Sequence, residues 1–401
     1  MSKVLTSDVA VVGGGPSGLI AAIALAAAGI DTVIFAPPPP GPDRRTTALL
    51  DGSVRVLQAL EVWPLLAPHT APLERLRLVD GTRRLIRAPE VAFDSAELGL
   101  DAFGYNIENE YLRDELRAAA GRQPTLRIVE APVDEVVLGD WVRLIAGNKE
   151  WKVQLAIAAD GRHSICRKAI GIAMSRRDFP QTALTMNLRH SRPHDNVSTE
   201  FHTESGPFTL VPLPGMRSSL VWVLEPGQAA EMNGLDNEKL ALEIERRAHS
   251  ILGRMEIDGT RGMFPLSIEL AERLADRRVV LVGEAGHVLP PIGAQGLNLG
   301  IRDAATIAEL ATDALCSGGD PGGIEIMDAY ESQRRSDVRA RALAVEFMNR
   351  SLLTDFLPVH AARGLGLELA SRIGPLRRAM MRQGLGPQDE ATPRLARGER
   401  L

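Results

Sequence analysis

The stretch Gly283–Asp303, GEAGHVLPPIGAQGLNLGIRD, places an acidic residue, a proline bend and a glycine-opened helix in immediate succession. Before it, Arg278–Val282 (RVVLV) is an apolar run of strand length. Gly283 and Glu284 therefore fall at a strand's carboxyl end, where open α/β sheets dock their ligands. Glu284 can there accept a hydrogen bond from a sugar-alcohol hydroxyl. Pro290 and Pro291 forbid a helix through the bend. The chain restarts as a helix near Gly296, Leu297 and Asn298, whose unpaired backbone donors and positive dipole end favour negative charge. The same letters also fit an ordinary strand, loop and helix, so this stretch gains meaning from its company.

The company begins at the amino terminus. Asp8–Val12 is a short apolar strand, followed by Gly13, Gly14, Gly15, Pro16, Ser17 and Gly18 and then by an alanine- and leucine-rich helix to about Ala28. This is a G-x-G-x-x-G turn between strand and helix, which binds a dinucleotide: Gly13 permits the tight turn, Gly15 lets a pyrophosphate approach the backbone, and Gly18 allows close packing of helix on strand. The next strand, Thr32–Phe35, is expected to end in an acidic residue that holds the adenosine ribose, but the chain continues with Ala36 and the prolines Pro37–Pro40. A third strand end lies within Ala156–Arg167 (AIAADGRHSICR), where an apolar run stops at Asp160 and Gly161. An aspartate-glycine pair at a strand end also marks an ordinary turn.

In that order, Gly13–Gly18, Asp160 with Gly161, and Gly283–Asp303 resemble three motifs of the single-component FAD aromatic hydroxylases, whose archetype is para-hydroxybenzoate hydroxylase. These are the dinucleotide fingerprint, the aspartate-glycine motif and the glycine-aspartate motif. The resemblance covers nearly the whole chain. It is nearest to the ubiquinone-biosynthesis hydroxylases through Arg45–Leu49 (RTTAL), Glu108–Leu116 (ENEYLRDEL), Gly206–Leu213 (GPFTLVPL) and Asn298–Asp303 (NLGIRD). Ala36 departs from the usual acidic residue, Glu284 from the commoner aspartate and Gly286 from the commoner alanine. Glu284 keeps the acceptor on a longer arm.

The resemblance implies bound FAD, NAD(P)H as co-substrate without a Rossmann domain of its own, and hydroxylation of an aromatic ring through a flavin C4a-hydroperoxide. The implied substrates are dioxygen and a hydrophobic polyprenyl phenol of ubiquinone biosynthesis. Implied cofactor contacts are Gly13, Gly15, Pro16, Ser17, Gly18, Arg45, Asn109, Arg113, Asp160, Gly161, Gly283, Glu284, Gly296, Leu297 and Asn298. Pro291, Gly293 and Gln295 are the implied catalytic positions beside the flavin ring. Arg45 is expected to pair with the pyrophosphate, with Arg44 as the competing candidate. Asn109 and Arg113, one helical turn apart, both face the cofactor or simply share the polar side of an amphipathic helix. Two other functions stay open: a reductase of prenyl double bonds on the same fold, and a flavin-poor scaffold of a biosynthetic assembly, suggested by Ala36.

The expected fold is α/β, a Rossmann-like FAD-binding domain with an interleaved β-sheet substrate domain and C-terminal helices. The FAD-binding segments are 1–72, 106–177 and 276–335, the substrate segments 73–105 and 178–275, the helical region 336–386, and the disordered tail 387–401. Short runs at Thr182–Leu188, Val197–His202, Phe208–Pro212 and Ser219–Leu224 make the sheet, with Phe208, Leu210, Pro212 and Trp222 mostly plain core. With 401 residues, 24% of them charged, the chain is long enough for two or more cores. The two cysteines, Cys166 and Cys316, exclude a disulfide framework or cysteine metal cluster and read as packing residues. No histidines have metal spacing, and His287 reads as a loop hydrogen-bonder rather than a base.

The first residues, MSKVLTSD, lack a signal peptide's apolar core, and no apolar run reaches spanning length. The expected place is the cytoplasm, with peripheral contact at the inner membrane, and no nucleic-acid partner is implied. Arg334–Leu401 holds 13 arginines and 7 acidic residues, 13 − 7 = +6, in a chain of net charge −5. Leu343, Phe347, Leu352 and Phe356, and again Leu369, Ile373, Leu376 and Met380, approximate helical stripes separated by Gly364 and Gly366. They pack on the FAD domain, or one stripe meets an anionic membrane or a partner protein.

Overall fold

The computed structural model describes residues 4–39, 41, 43–82, 89–353, 373–385 and 392–401. Its first sheet is built from the β-branched apolar runs: β1 (Val4–Val12), β2 (Thr32–Phe35), β8 (Leu126–Val129), β9 (Glu135–Val137), β10 (Val142–Ala146), β11 (Lys149–Ala158), β17 (Ala275–Asp276) and β18 (Val279–Leu281). The order is β17-β18-β11-β1-β2-β8, parallel from β18 to β8, with β10 and β9 folded antiparallel onto β11. From β1 the strand order runs one way through β2 and the other through β11. β1 is therefore the point where order reverses, and the crevice beyond its carboxyl end is where such sheets take ligands.

Helices pack on this sheet and on a second sheet. They are α1 (Pro16–Ala27), α2 (Asp51–Ala59), α3 (Trp63–Leu66), α4 (Asn109–Ala120), α5 (Ile165–Ala169), α6 (Pro226–Gly234), α7 (Asn237–Arg247), α8 (Gln295–Cys316), α9 (Ile324–Leu353), α10 (Gly374–Leu385) and α11 (Arg394–Arg397). In α1 every residue from Gly18 to Ala26 is buried. A helix apolar all round belongs inside, and α1 is packed between the sheet and helices α4 and α8. Full burial of Ile20, Ile23 and Leu25 contributes about 1.5–3 kcal/mol each relative to exposure.

The second sheet joins β5 (Arg75–Asp80), β6 (Val91–Asp94), β12 (Met174–His190), β13 (Val197–Thr203), β14 (Gly206–Leu213), β15 (Arg217–Leu224), β16 (Met255–Ala271) and β19 (His287–Val288) in the order β19-β16-β12-β15-β14-β13-β5-β6. Phe208, Leu210 and Trp222 are buried under α6 and α7, as their alternation requires. A small third sheet, β3 (Thr46–Leu50), β4 (Thr70–Pro72) and β7 (Gly104–Glu108), runs in the order β3-β7-β4.

Strand β16 was absent from the sequence reading. Gly259, Gly262 and Pro265 interrupt its alternation, and the chain absorbs them as two register shifts against β12, between Asp178 and Thr182 and between Thr185 and Asn187. Residues 392–401, expected to trail as disordered, carry α11, whose Leu395 and Ala396 are buried against α2 and α8. Cys166 is buried as expected, whereas Cys316 is exposed at the end of α8. Leu352 lies in the end of α9 where side chains are outside the described residues, as do Phe356, Gly364, Gly366 and Leu369 altogether. Among the described residues, no helix is long and apolar enough to cross a membrane.

Candidate functional site

Three strand ends converge at the glycine turn. Gly13 donates to the Phe35 carbonyl at 2.9 Å, Ala159 to Val12 at 2.8 Å, and Val282 to Ala158 at 2.9 Å. Gly13 sits at φ +117°, and a Cβ there would collide with the Ala159 carbonyl. A Cβ on Gly18 would strike the Gly13 carbonyl, so both glycines are required by packing. Gly15, the N-cap of α1, differs: its backbone is extended and a Cβ would meet nothing within 4 Å. Open space over that position, at a helix start with Pro16 and no side-chain cap, suits an approaching phosphate. Ser17 packs between Gly283 and Gly300, which presses α8 against α1. Ala36 is fully buried, and a Cβ on Gly14 would stand 2.7 Å from its side chain.

Asp160 accepts from the Ile165 N–H at 2.8 Å and the Cys166 N–H at 3.3 Å, thereby capping α5 with one oxygen. Its other oxygen, Oδ1, is buried without a partner. An orphaned carboxylate oxygen at a ligand crevice fits a donor hydroxyl. Gly161 takes φ +78° beside it, with free space where a Cβ would be. Glu284, just beyond the end of β18, is exposed.

Arg45 donates both arms of its fork to Asp43, Nε at 2.8 Å and an Nη at 2.7 Å. The Asp43 bond, opposed by burial and supported by the charges of Asp43 and Glu284, pushes the guanidinium up from its ordinary value. Burial alone would raise the Asp43 carboxyl, but Arg45 and Asn109 hold it below the usual carboxylate range. The Asp43 carboxylate occupies the fork as a phosphate would, bidentate and anionic. Asn109 joins this group, donating to Asp43 at 3.1 Å and accepting from Thr47 at 2.7 Å. Arg113, one turn on, bonds Asp114 instead. Arg44 packs toward Gly259 of the second sheet, leaving Arg45 as the arginine on the crevice side.

The bend enters α8 through two consecutive left-handed residues, Gly293 (φ +67°) and Ala294 (φ +54°). For alanine that conformation costs about 1–2 kcal/mol. Pro291 and Gly293 are exposed. Gln295 is buried and turns its Nε2 back onto the Gly293 carbonyl at 2.8 Å, so its side chain closes the bend rather than standing free for a ring edge. Leu297 packs on the first core, and Gly296 leaves open space where a Cβ would be.

Asn298 is a brace between elements. Its Nδ2 donates to Ala48 at 2.8 Å and Ala294 at 2.6 Å, while its Oδ1 accepts from Leu50 N–H at 2.9 Å and Ser53 Oγ at 2.6 Å. The amide is fully used in joining α8 to β3 and α2, which leaves the backbone of this turn to face a ligand. Asn298→Ala is expected to lower stability by about 2–4 kcal/mol, because several buried groups lose partners at once. Urea denaturation measures this, and a loss below about 1 kcal/mol contradicts the brace.

The sequence reading missed the hub beneath the bend. Asp303, 1% exposed, accepts from Gly283 N–H at 3.0 Å and Arg334 Nε at 2.7 Å and pairs with His287 Nε2 at 2.6 Å. Arg334 in turn bonds Asp337 at 2.9 Å. One carboxylate thus ties the Gly283 turn, the His287 strand and α9 together. Its signal was present: Arg302 and Asp303 interrupt an otherwise apolar run of α8, and buried charges demand partners. His287 is the hydrogen-bonder expected of it. Among the described residues, no group of histidine, cysteine or acidic residues could hold a metal.

A family model described as FAD binding domain matches residues 6–125 and 142–344. Ubiquinone hydroxylase UbiL of Rhodospirillum rubrum is 33% identical, over 98% of this chain and 93% of its own length. The 3-demethoxyubiquinol 3-hydroxylase of Escherichia coli is 29% identical, over 95% of this chain and 98% of its own. Among solved structures, p-nitrophenol 4-monooxygenase PnpA from Pseudomonas putida shares the fold, with a TM-score of 0.79 over 96% of this chain and all of that one at 18% identity.

Proposed function

Because the chain belongs to the FAD-binding-domain family, alongside the ubiquinone hydroxylases it matches from end to end, we propose that it is an FAD-dependent, NAD(P)H-using monooxygenase that hydroxylates a polyprenyl phenol of ubiquinone biosynthesis. The observation that carries this reading is the glycine turn at the end of β1: Gly15 has open space over an extended helix start, Gly13 lies against the Ala159–Asp160 backbone where Asp160 keeps an unpartnered oxygen, and Arg45 lies within the electrostatic reach of Glu284. Bound FAD would supply hydride acceptance from NAD(P)H and activation of dioxygen, one oxygen atom going to an electron-rich ring carbon and the other leaving as water.

The chain's own residues orient and shield. The turn Gly13–Gly18 and Arg45 receive the pyrophosphate, Asp160 and Glu284 accept hydroxyl protons in hydrogen bonds, and the start of α8 at Gly296 and Leu297 sets a positive dipole end against developing negative charge. Pro291 and Gly293 line the bend, held in shape by Gln295 and Asn298. The segments 1–72, 106–177 and 276–335 form the FAD-binding unit, and 73–105 and 178–275 the substrate unit, a division supported by β5 and β6 joining the second sheet. Isotopically labelled dioxygen tests the reaction: label is expected in a phenolic product of a quinone precursor. Saturation of a prenyl double bond without label would establish the reductase instead.

The C-terminal helices supply a docking face for an anionic membrane, where a substrate with an insoluble tail is collected. Leu343 and Phe347 of α9 are 66% and 74% exposed, and Ile373, Leu376 and Met380 at α10 are 41–45% exposed. Arg341 donates to the Gln383 carbonyl at 2.8 Å, so the two helices are neighbours. Arg377 is engaged elsewhere, bonded to Glu97 and stacked 4.7 Å over Phe93, which leaves Arg378 and Arg382 for lipid headgroups. Sedimentation with anionic vesicles at low salt is expected to pull down the wild type and to fail for a Phe347→Ser, Arg378→Gln, Arg382→Gln triple variant. Equal binding to neutral vesicles removes the charge component of the proposal.

A further inference from the structure

On the far side of α8 from the glycine turn, a cavity of about 270 Å³ lies between the start of α2, α8 and α11. Three arginines line it: Arg55 from α2, Arg302 from α8 and Arg397 from α11. Arg302 is the unusual one. It is 92% buried, at 8% exposure, and its Nε is sealed without a hydrogen-bond partner. Its closest ionic contact among the described residues is Asp337, at 3.4 Å, beyond the length of a strong charged hydrogen bond. A guanidinium has five donors, and a buried one left unsatisfied requires an acceptor.

The surrounding charges point the same way. Asp337 is shared among Arg302, Arg334 and Arg341, and Asp303 is taken by Arg334. Among the described residues, three guanidinium groups therefore face two carboxylates, one positive charge in excess beside the cavity. Arg55 and Arg397 are each balanced by one acid, Asp51 and Glu399. Burial, with repulsion from Arg334 and Arg341 that Asp337 offsets only in part, pushes the Arg302 guanidinium down to about 10. The opposite wall holds Gly52 and Ser53 in the first turn of α2, whose dipole favours negative charge. The space far exceeds the ~10–15 Å³ that one water needs.

We propose that this cavity is a binding site for a phosphate-class oxyanion, gripped by Arg302 with Arg55 and Arg397. The oxyanion supplies the acceptors that Arg302 lacks and neutralises the excess charge. Arginine suits it because the planar fork meets two phosphate oxygens at once. Occupancy also fastens α11 to α2 and α8, so the ligand stabilises the carboxyl-terminal end of the chain. Asn298 and Leu50 also line this cavity, so it backs onto the start of α8, but its assignment does not depend on the proposed reaction.

The test uses the FAD-loaded full chain and inorganic phosphate, followed by calorimetric titration and by thermal unfolding against chloride at matched ionic strength. Saturable binding with a rise in Tm is expected for the wild type, weakened at least ~tenfold by Arg302→Lys, which keeps the charge but loses the fork. Arg397→Gln, on a half-exposed side chain that does not hold the core, is expected to weaken it as well. No saturable binding, or binding unchanged in both variants, overturns the site. Displacement of phosphate by NADPH and not by NADH assigns the oxyanion to the coenzyme's ribose phosphate; displacement by neither assigns a free phosphoryl ligand. Both of these results support the site.

Discussion

Gly15→Glu is expected to fold as the wild type does and to lose FAD binding by at least about a hundredfold. The extended backbone at Gly15 suits any residue, and a Cβ there meets nothing within 4 Å. The new carboxylate instead stands where the pyrophosphate must lie, and a like charge in contact costs several kcal/mol. Gly13→Ala is the contrasting control. Its φ of +117° and the collision with the Ala159 carbonyl damage the turn itself, so that variant is expected to lose stability along with binding. Fluorescence titration with FAD, beside thermal unfolding of the apoprotein, separates the two effects. Unchanged affinity in Gly15→Glu removes the glycine turn from the cofactor site.

What the sequence made legible follows from the range of the forces involved. Gly13 and Gly18 could be read because the strand, turn and helix that call for them are contiguous in sequence, although the carbonyl that presses on Gly13 belongs to distant Ala159. The same holds for Phe208 and Trp222, whose alternation is a property of one strand. The long strand β16 was not legible, since Gly259, Gly262 and Pro265 are breakers whose cost is met only by pairing with distant β12. Asn298 enters the motif through its backbone donors, but the bracing role of its side-chain amide on Leu50, Ser53, Ala48 and Ala294 was not legible. Its partners on β3 and α2 lie 245 to 250 residues away in sequence, and no local pattern reveals them. Arg45 is expected from the sequence to pair with a pyrophosphate; Asp43 in its fork and Glu284 within its electrostatic reach emerge only from the folded loop. Arg113 illustrates the limit of helical spacing: it shares a face with Asn109 and still bonds its neighbour Asp114.

Asp303→Asn is expected to lower stability by about 3–5 kcal/mol, since it leaves the buried Arg334 guanidinium without its closest counter-charge. Burial alone would raise the Asp303 carboxyl, but the charges of His287 and Arg334 and the hydrogen bonds from His287 and the Gly283 N–H outweigh it, holding the group far below the usual carboxylate range. A carboxyl lowered on folding contributes stability that is complete above its unfolded value of about 4 and is lost as pH falls through the folded value. The wild-type advantage over Asp303→Asn should therefore be constant from neutral pH down to about 4 and shrink below it. The chemistry is coupled to the same bond. Gly283 carries φ +61° and leads directly into Glu284, so slackening its tether to Asp303 moves the carboxylate proposed to accept from the cofactor. FAD retention is expected to fall in Asp303→Asn even at temperatures where the protein stays folded. Urea midpoints measured across pH, with FAD affinity at neutral pH, read both consequences. A destabilisation under about 1 kcal/mol with affinity intact would show that the turn holds its shape without the hub.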